Sequence, residues 1–278
     1  MRSRADRSWQ ELSQALLANS ENGVLRIAVL AAHPDDETIG ASSLLARFPS
    51  APVIYLTDGA PRNSKLWPPE FRGTRDEYAS LRRGEAERAL HIGGVSPRQI
   101  HWLGAVDQEA ILCAGDLARS LAEVLAKLEP DILITHPYEG GHPDHDSAAL
   151  IARLAAAQFD PERTPFLVEM TSYHARNCQC ITGEFLDFGA EHEEVCIDLS
   201  PGERDRKRTM FAAYPSQQLV LGSFRTDRER FRRAPEYDFS RPPHDGKLWY
   251  ECMGWPMTGE HWRALAAQCV ARREYACH

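Results

Sequence analysis

Apolar positions along the first two thirds of the chain follow two alternating rhythms. Short, mostly apolar runs at 24–32, 53–57, 99–103, 131–135 and 166–172 predict strands, the first of them buried on both faces. Between them, apolar residues at helical spacing predict helices over 38–48, 75–90, 117–128 and about 146–157, preceded by a leading helix over 9–17. The helix over 117–128 stops before Pro130, because the residue preceding a proline is pushed out of helical geometry. Residues 60–73 form a loop rich in proline. A strand–helix alternation of this kind predicts an α/β fold: a mostly parallel sheet with helices on both faces. Past about residue 174 the rhythm weakens. A strand at 195–199, a helix over 204–213 and a closing helix over 258–272 are predicted, with a long loop at 222–247. Within that loop, Arg225 to Arg233 is a basic cluster around Phe231 that reads as a solvated face.

Length and composition narrow the picture. The chain has 278 residues, 43% hydrophobic and 26% charged, which suits one globular α/β domain over 1–278 with a core of about 22–220 and a less regular extension over 221–278. A net charge of −8 argues against a nucleic-acid partner. No apolar run approaches the roughly 20 residues a membrane span needs, and no apolar stretch follows Arg2, Arg4 and Arg7, so neither a span nor a signal peptide is expected. Seven cysteines (113, 178, 180, 196, 252, 269 and 277), odd in number and scattered, do not make a disulfide framework. Reduced thiols and a cytoplasmic location are the corresponding expectation.

Two short stretches carry the candidate chemistry. Ala32-His33-Pro34-Asp35-Asp36-Glu37 follows the first strand directly and opens a helix. His142-Pro143-Asp144-His145-Asp146 follows the fourth strand after the turn Tyr138-Glu139-Gly140-Gly141. Helix capping accounts for one or two acids in the first stretch, but not for the His-Pro before them. Both stretches lie at the carboxyl ends of predicted parallel strands, where open α/β sheets place their ligands. With strand order 3-2-1-4-5, they meet across one crevice. Imidazoles and carboxylates without thiolate suit Zn²⁺ or another first-row divalent ion. Adjacent carboxylates then divide the labour, one ligating the ion and its neighbour accepting a proton from water.

The pair His-Pro-Asp-Asp-Glu and His-Pro-Asp-His resembles the PIG-L/LmbE-like family of zinc-dependent N-deacetylases, over roughly residues 25–220. Leu56-Thr57-Asp58-Gly59, Arg82-Arg83-Gly84-Glu85, and Leu103-Gly104 with Asp107 add weaker matches. The resemblance implies a Rossmann-like three-layer α/β/α fold and removal of an N-acetyl group from an amino sugar or its conjugate. It implies one zinc per chain, held by His33, Asp36 and His145. It makes Asp35 the general base, and His142 the group that stabilises the oxyanion and protonates the leaving amine. Asp144 orients His142, while Arg82 and Asp107 contact sugar hydroxyls. The partner is then a small molecule, and a homo-oligomer is left open. Ser42-Ser43 stands where the family usually has Gly-Gly.

Two other readings remain. Asp144-His145-Asp146 is faintly similar to two-metal phosphoesterases of the DHH type, which need further carboxylates, such as Asp58 and Asp107, to hold two ions about 3.5–4 Å apart. A non-catalytic sugar-binding relative would have lost Asp35 or a ligand, and none is lost. The first strand–helix turn lacks G-x-G-x-x-G, against a dinucleotide enzyme, and the chain has no G-x-S-x-G, against a serine hydrolase. His136 ends the fourth strand and reads as a packed or supporting residue; His174 and His192 read as surface or core.

Overall fold

The computed structural model describes residues 4–18, 25–187 and 193–276. Val24 of the first predicted strand, His192 and Cys277 lie outside the described residues. In chain order the elements are α1 (Arg4–Ala18), β1 (Ile27–Ala31), α2 (Asp36–Arg47), β2 (Val53–Thr57), α3 (Arg75–Ile92), β3 (Ile100–Ala105), α4 (Ala114–Leu128), β4 (Ile132–Thr135) and α5 (Pro143–Ala156). They continue with β5 (Phe166–Met170), β6 (Tyr173–Arg176), β7 (Gln179–Thr182), β8 (Glu194–Asp198), α6 (Pro201–Ala212), α7 (Gln218–Leu221), β9 (Arg228–Arg233), α8 (Trp249–Cys252) and α9 (Gly259–Ala276).

The main sheet runs β3-β2-β1-β4-β5-β9-β8, and β6 and β7 form a separate hairpin. The first five strands are parallel, in the order 3-2-1-4-5 under which the two histidine stretches meet. The order reverses between β1 and β4, so the loops leaving their carboxyl ends part there and open a crevice. β9 pairs antiparallel with β5, and β8 antiparallel with β9.

Side chains of a strand alternate between the two faces of the sheet, and β1 shows it directly. Ile27, Val29 and Ala31 join one core with Leu12, Leu44, Leu90 and Met210 from α1, α2, α3 and α6. Ala28 and Leu30 join the other with Leu121, Ile151 and Trp262 from α4, α5 and α9. Trp262 is fully buried, and its indole N–H donates to Pro143 O (3.1 Å) and Ser147 Oγ (3.0 Å), which fastens α9 to α5. Three layers, α/β/α, result.

Helix starts follow capping chemistry. Thr74 and Ser200 form capping boxes with Glu77 and Glu203. At α5 the structure moves the start forward from the expected 146: His142 caps the helix through its ring and Pro143 takes the first turn. The second histidine stretch is therefore a helix N-terminus, not a loop.

Three expectations need correction. The segment 222–247 is not simply a loop, since β9 lies inside it as an inner strand of the sheet. Nor is the basic cluster a solvated face throughout: Phe231 and Arg232 are buried. Arg232 pairs with Glu169 (2.9 Å) and Glu139 (3.0 Å), so buried ion pairs stand where a strand usually shows apolar residues. Finally, Cys178 and Cys252 form a disulfide across 74 residues, against the expectation of reduced thiols. Sequence spacing alone does not pair cysteines so far apart. Among the described residues, no helix is long and apolar enough to cross a membrane.

α2 is broken at Ala41 (φ −140°). Ile39 C=O and Ser43 N–H, which pair with each other in an unbroken helix, here reach Lys207 Nζ (2.6 Å) and Glu229 (3.1 Å). Lys207 and Glu229 are fully buried and form an ion pair at 2.8 Å. Glu229 also accepts from the hydroxyls of Ser42 and Ser43, both at 2.6 Å. Ser42 and Ser43 thus tie α2 to a strand of the C-terminal extension.

Candidate metal centre

The chain leaves β1 through Ala32 and turns sharply into α2. Thr57 at the end of β2 holds the turn, its N–H (3.0 Å) and hydroxyl (2.8 Å) both donating to Ala32 O. Asp35 occupies the N-cap with φ 122°, a left-handed conformation that costs a non-glycine residue energy. Two contacts hold it there. Its N–H donates to Glu37 Oε2 (3.1 Å), and its carboxylate accepts from the Arg82 guanidinium (2.9 Å). Glu37 is in turn held by the Tyr214 hydroxyl (2.7 Å).

Asp36 points into the crevice. One carboxylate oxygen lies 3.2 Å from His33 Nδ1 and the other 3.2 Å from His145 Nε2. His33, Asp36 and His145 thereby bring three ligand atoms within 4.8 Å of one another, all on buried residues. His145 comes from the first turn of α5; Ser172 Oγ lies 3.2 Å from its Nδ1, and the His136 ring stacks on it at 4.1 Å. The backbone N–H of Ala32 donates to His136 Nε2 (3.1 Å), so His136 braces the turn from β1.

A second group shares His33. Its Nε2 is 3.3 Å from Asp107 and 3.2 Å from Asp144. His142 Nε2 is 3.6 Å from the same Asp107 oxygen, a buried atom with no hydrogen-bond donor on it. The Asp144 carboxylate accepts from the backbone N–H groups of Gln108 (2.5 Å) and Ala110 (3.1 Å), which pins the loop carrying Asp107. It lies 3.9 Å from His142 Nδ1, which accepts the backbone N–H of Asp144 at 3.0 Å. That leaves His142 Nε2 as the nitrogen facing the crevice.

Charge states follow from burial and neighbours. Burial pushes Asp35 up to about 7, against the opposing pull of Arg82. Burial also disfavours the charged form of Asp36, but His145 and His136 outweigh it and hold Asp36 well below the ordinary carboxylate range. Burial lowers His145 to about 4 and sends His142 well below its ordinary value, with His33 adding to the latter shift. His33 moves up, because Asp107, Asp144 and Asp36 outweigh its burial.

These states fit a divalent cation. Ligands must be deprotonated: Asp36 is ionised and His145 neutral, while His33, held up by the acids around it, gives up its proton as the ion binds. Two imidazoles and a carboxylate without thiolate are donors for a first-row ion such as zinc. The unsatisfied Asp107 oxygen adds a buried anionic atom beside them.

All eight residues singled out from sequence come together here. Arg82 arrives from α3 as a buried side chain, bonded to Pro34 O, Asp35, Glu85 (3.3 Å) and Ser216 (3.5 Å). Other neighbours escaped the sequence. Tyr173 packs edge-on to His145 at 5.1 Å, and Trp255 packs edge-on to His142 at 4.9 Å. Neither carries a local motif, since each reaches the site only through the hairpin or the C-terminal segment.

Comparison with known proteins gives a consistent setting. The family model described as PIG-L, GlcNAc-PI de-N-acetylase, matches residues 28–156. A 1D-myo-inositol 2-acetamido-2-deoxy-alpha-D-glucopyranoside deacetylase of Corynebacterium glutamicum is 32% identical over 166 residues, 51% of this chain and 56% of that protein. An enzyme of the same name from Kineococcus radiotolerans is 30% identical over 167 residues, 49% of this chain and 46% of its own. The chain thus spans about half the length of the curated relatives it matches. Among solved structures, N,N'-diacetylchitobiose deacetylase from Pyrococcus horikoshii superposes with TM-score 0.51 at 20% identity, covering 78% of this chain and 82% of that one. The zinc inhibited form of teicoplanin deacetylase does so with TM-score 0.55 at 14% identity, covering 76% and 100%. These structural likenesses establish the fold.

Proposed function

We propose, from the premise that residues 28–156 are a PIG-L family domain, that the protein is a metal-dependent hydrolase removing an N-acetyl group from an amino sugar or amino-sugar conjugate. The observation that carries this reading is the convergence of His33, Asp36 and His145 within 4.8 Å, with the buried carboxyl of Asp35 beside them. The ion is proposed to be zinc, one per chain, held by those three residues. When bound, it supplies Lewis acidity, polarising the amide carbonyl and easing deprotonation of water.

The chain's own residues do the rest. Asp35 takes the proton of the attacking water. With its carboxyl pushed up to about 7, it can accept that proton and give it up again near neutrality. Arg82 holds Asp35 in place through the ion pair at 2.9 Å. His142 is neutral and uses Nδ1 to take the Asp144 N–H, so Nε2 carries hydrogen toward the crevice. That N–H donates to the carbonyl oxygen as negative charge develops, and the departing amine takes the proton that Asp35 removed from water. Asp144 keeps His142 and the Asp107 loop in register, and the unsatisfied oxygen of Asp107 receives a sugar hydroxyl. Water adds to the carbonyl carbon and the C–N bond breaks, giving acetate and a free amine.

The test is a screen of N-acetylated sugars with zinc-loaded protein, reading released primary amine and acetate. Hydrolysis that a chelator abolishes supports the reading. Cleavage of phosphoesters with two manganese ions per chain, and no amine release, overturns it.

A further inference from the structure

Residues 248–255 pack along the start of α5, beside His142. Leu248 fills the space over Gly140, where an added Cβ would come within 2.6 Å of it. Trp249 N–H donates to Gly140 O (2.8 Å), and the Tyr250 hydroxyl reaches Asp146 at 3.4 Å. Cys252 is bonded to Cys178 at the tip of the β6–β7 hairpin, and Glu251 closes the far end by accepting Gly259 N–H (2.8 Å). Trp255 N–H donates to Tyr250 O (3.0 Å), which sets the indole against the ring of His142 at 4.9 Å and 68°. The indole is half-buried against His142, with part of its surface open to solvent.

We infer that Trp255 determines specificity by stacking the amine-bearing sugar ring. The inference rests on the proposed deacetylase reading, in which His142 donates to the carbonyl oxygen of the amide. The ring attached to the amide nitrogen then lies beside His142, where the structure supplies a flat aromatic surface. A pyranose presents axial C–H groups on its faces, which suit the electron-rich face of an indole. Binding sites of this kind use an aromatic wall for area and a few polar groups for orientation. Trp255 lies outside the residues that match the family domain, so this wall belongs to the chain's own extension. The disulfide to Cys178 and the Tyr250 and Leu248 contacts fix its position before substrate arrives.

The experiment compares zinc-loaded wild type, Trp255→Ala and Trp255→Phe. Hydrolysis of N-acetylglucosamine is measured, together with glucosamine binding by saturation-transfer NMR. In Trp255→Ala, KM rises about fivefold to tenfold and the glucosamine signal fades, while kcat falls less; Trp255→Phe regains most of the KM. A fall in kcat with KM unchanged would mean that Trp255 only props His142, and it overturns the inference while leaving the deacetylase reading intact. If wild type binds glucosamine and Trp255→Ala does not, without hydrolysis by either, the stacking role stands and the reaction assignment falls. Neither binding nor hydrolysis by wild type overturns both.

Discussion

Replacing Glu229 with leucine tests how the broken helix α2 is held. Glu229 is fully buried and accepts from Lys207 (2.8 Å), the hydroxyls of Ser42 and Ser43 (both 2.6 Å) and the backbone N–H of Ser43 (3.1 Å). Removing one partner of a buried pair leaves the other charge uncompensated and typically costs about 3–5 kcal/mol. Two orphaned hydroxyls and one N–H add to that, at about 1 kcal/mol or more each where water does not reach them. Against a total stability of about 5–15 kcal/mol, Glu229→Leu should sit near the edge of folding. The double variant Lys207→Met/Glu229→Leu should cost less than the two single variants summed, because the first loss has already stranded the second charge. Urea unfolding followed by circular dichroism, with m-values compared, reads both quantities. A single-variant cost under about 1 kcal/mol, or strict additivity, refutes the account. The same site has a pH signature. Burial alone would raise Glu229, but Lys207 and the two serines outweigh it and hold the carboxyl below its ordinary range. A depressed folded value stabilises above the unfolded value of about 4.3 and is lost as pH falls through the folded one. The gap in stability between wild type and Glu229→Gln should therefore be full at neutral pH and shrink in acid.

Three further outcomes are expected. Asp35→Asn should keep its bound metal, measured by metal analysis, and lose about 10²–10⁴ in turnover; activity within tenfold of wild type contradicts the proposed role as base. His145→Ala should fold but bind zinc more weakly in competition with a chelator, and unchanged affinity removes it from the ligand set. Reducing the Cys178–Cys252 bond, which closes a loop of 74 residues, should lower stability by up to about 4 kcal/mol, and a Cys178→Ser/Cys252→Ser variant melting with the oxidised wild type denies the bond any stabilising role.

The half of the molecule that builds the candidate metal centre was legible because its signals are local. Strands β1, β2 and β4 are buried on both faces and read as apolar runs; the first histidine stretch sits directly on a strand end and the second follows β4 after a short turn. Parallel connection and strand order then bring His33 and His145 together, although 112 positions separate them. Legibility failed where stability comes from pairs of distant polar groups. Arg228–Arg233 has five charged residues in six, so no apolar alternation marks it as a strand. Its inward positions are made tolerable by Lys207, Glu139 and Glu169, each from a different part of the chain. Trp255 and the disulfide are of the same kind, since their roles depend on the path of the chain between residues 157 and 248.

The placement of β9 bears on how the protein is made. Among the described residues β8 pairs only with β9, and β9 also covers the outer edge of β5. While the nascent chain is still on the ribosome, both histidine stretches emerge long before Arg228–Arg233. For about sixty residues of translation, roughly 3–12 s at 5–20 residues per second, β5 is an uncovered edge. Glu169 on that edge also lacks its guanidinium from Arg232 during this interval. An open strand edge invites pairing with other chains. Chaperone demand and aggregation should therefore concentrate in this window of synthesis, and chains cut short before residue 228 should remain trapped in it.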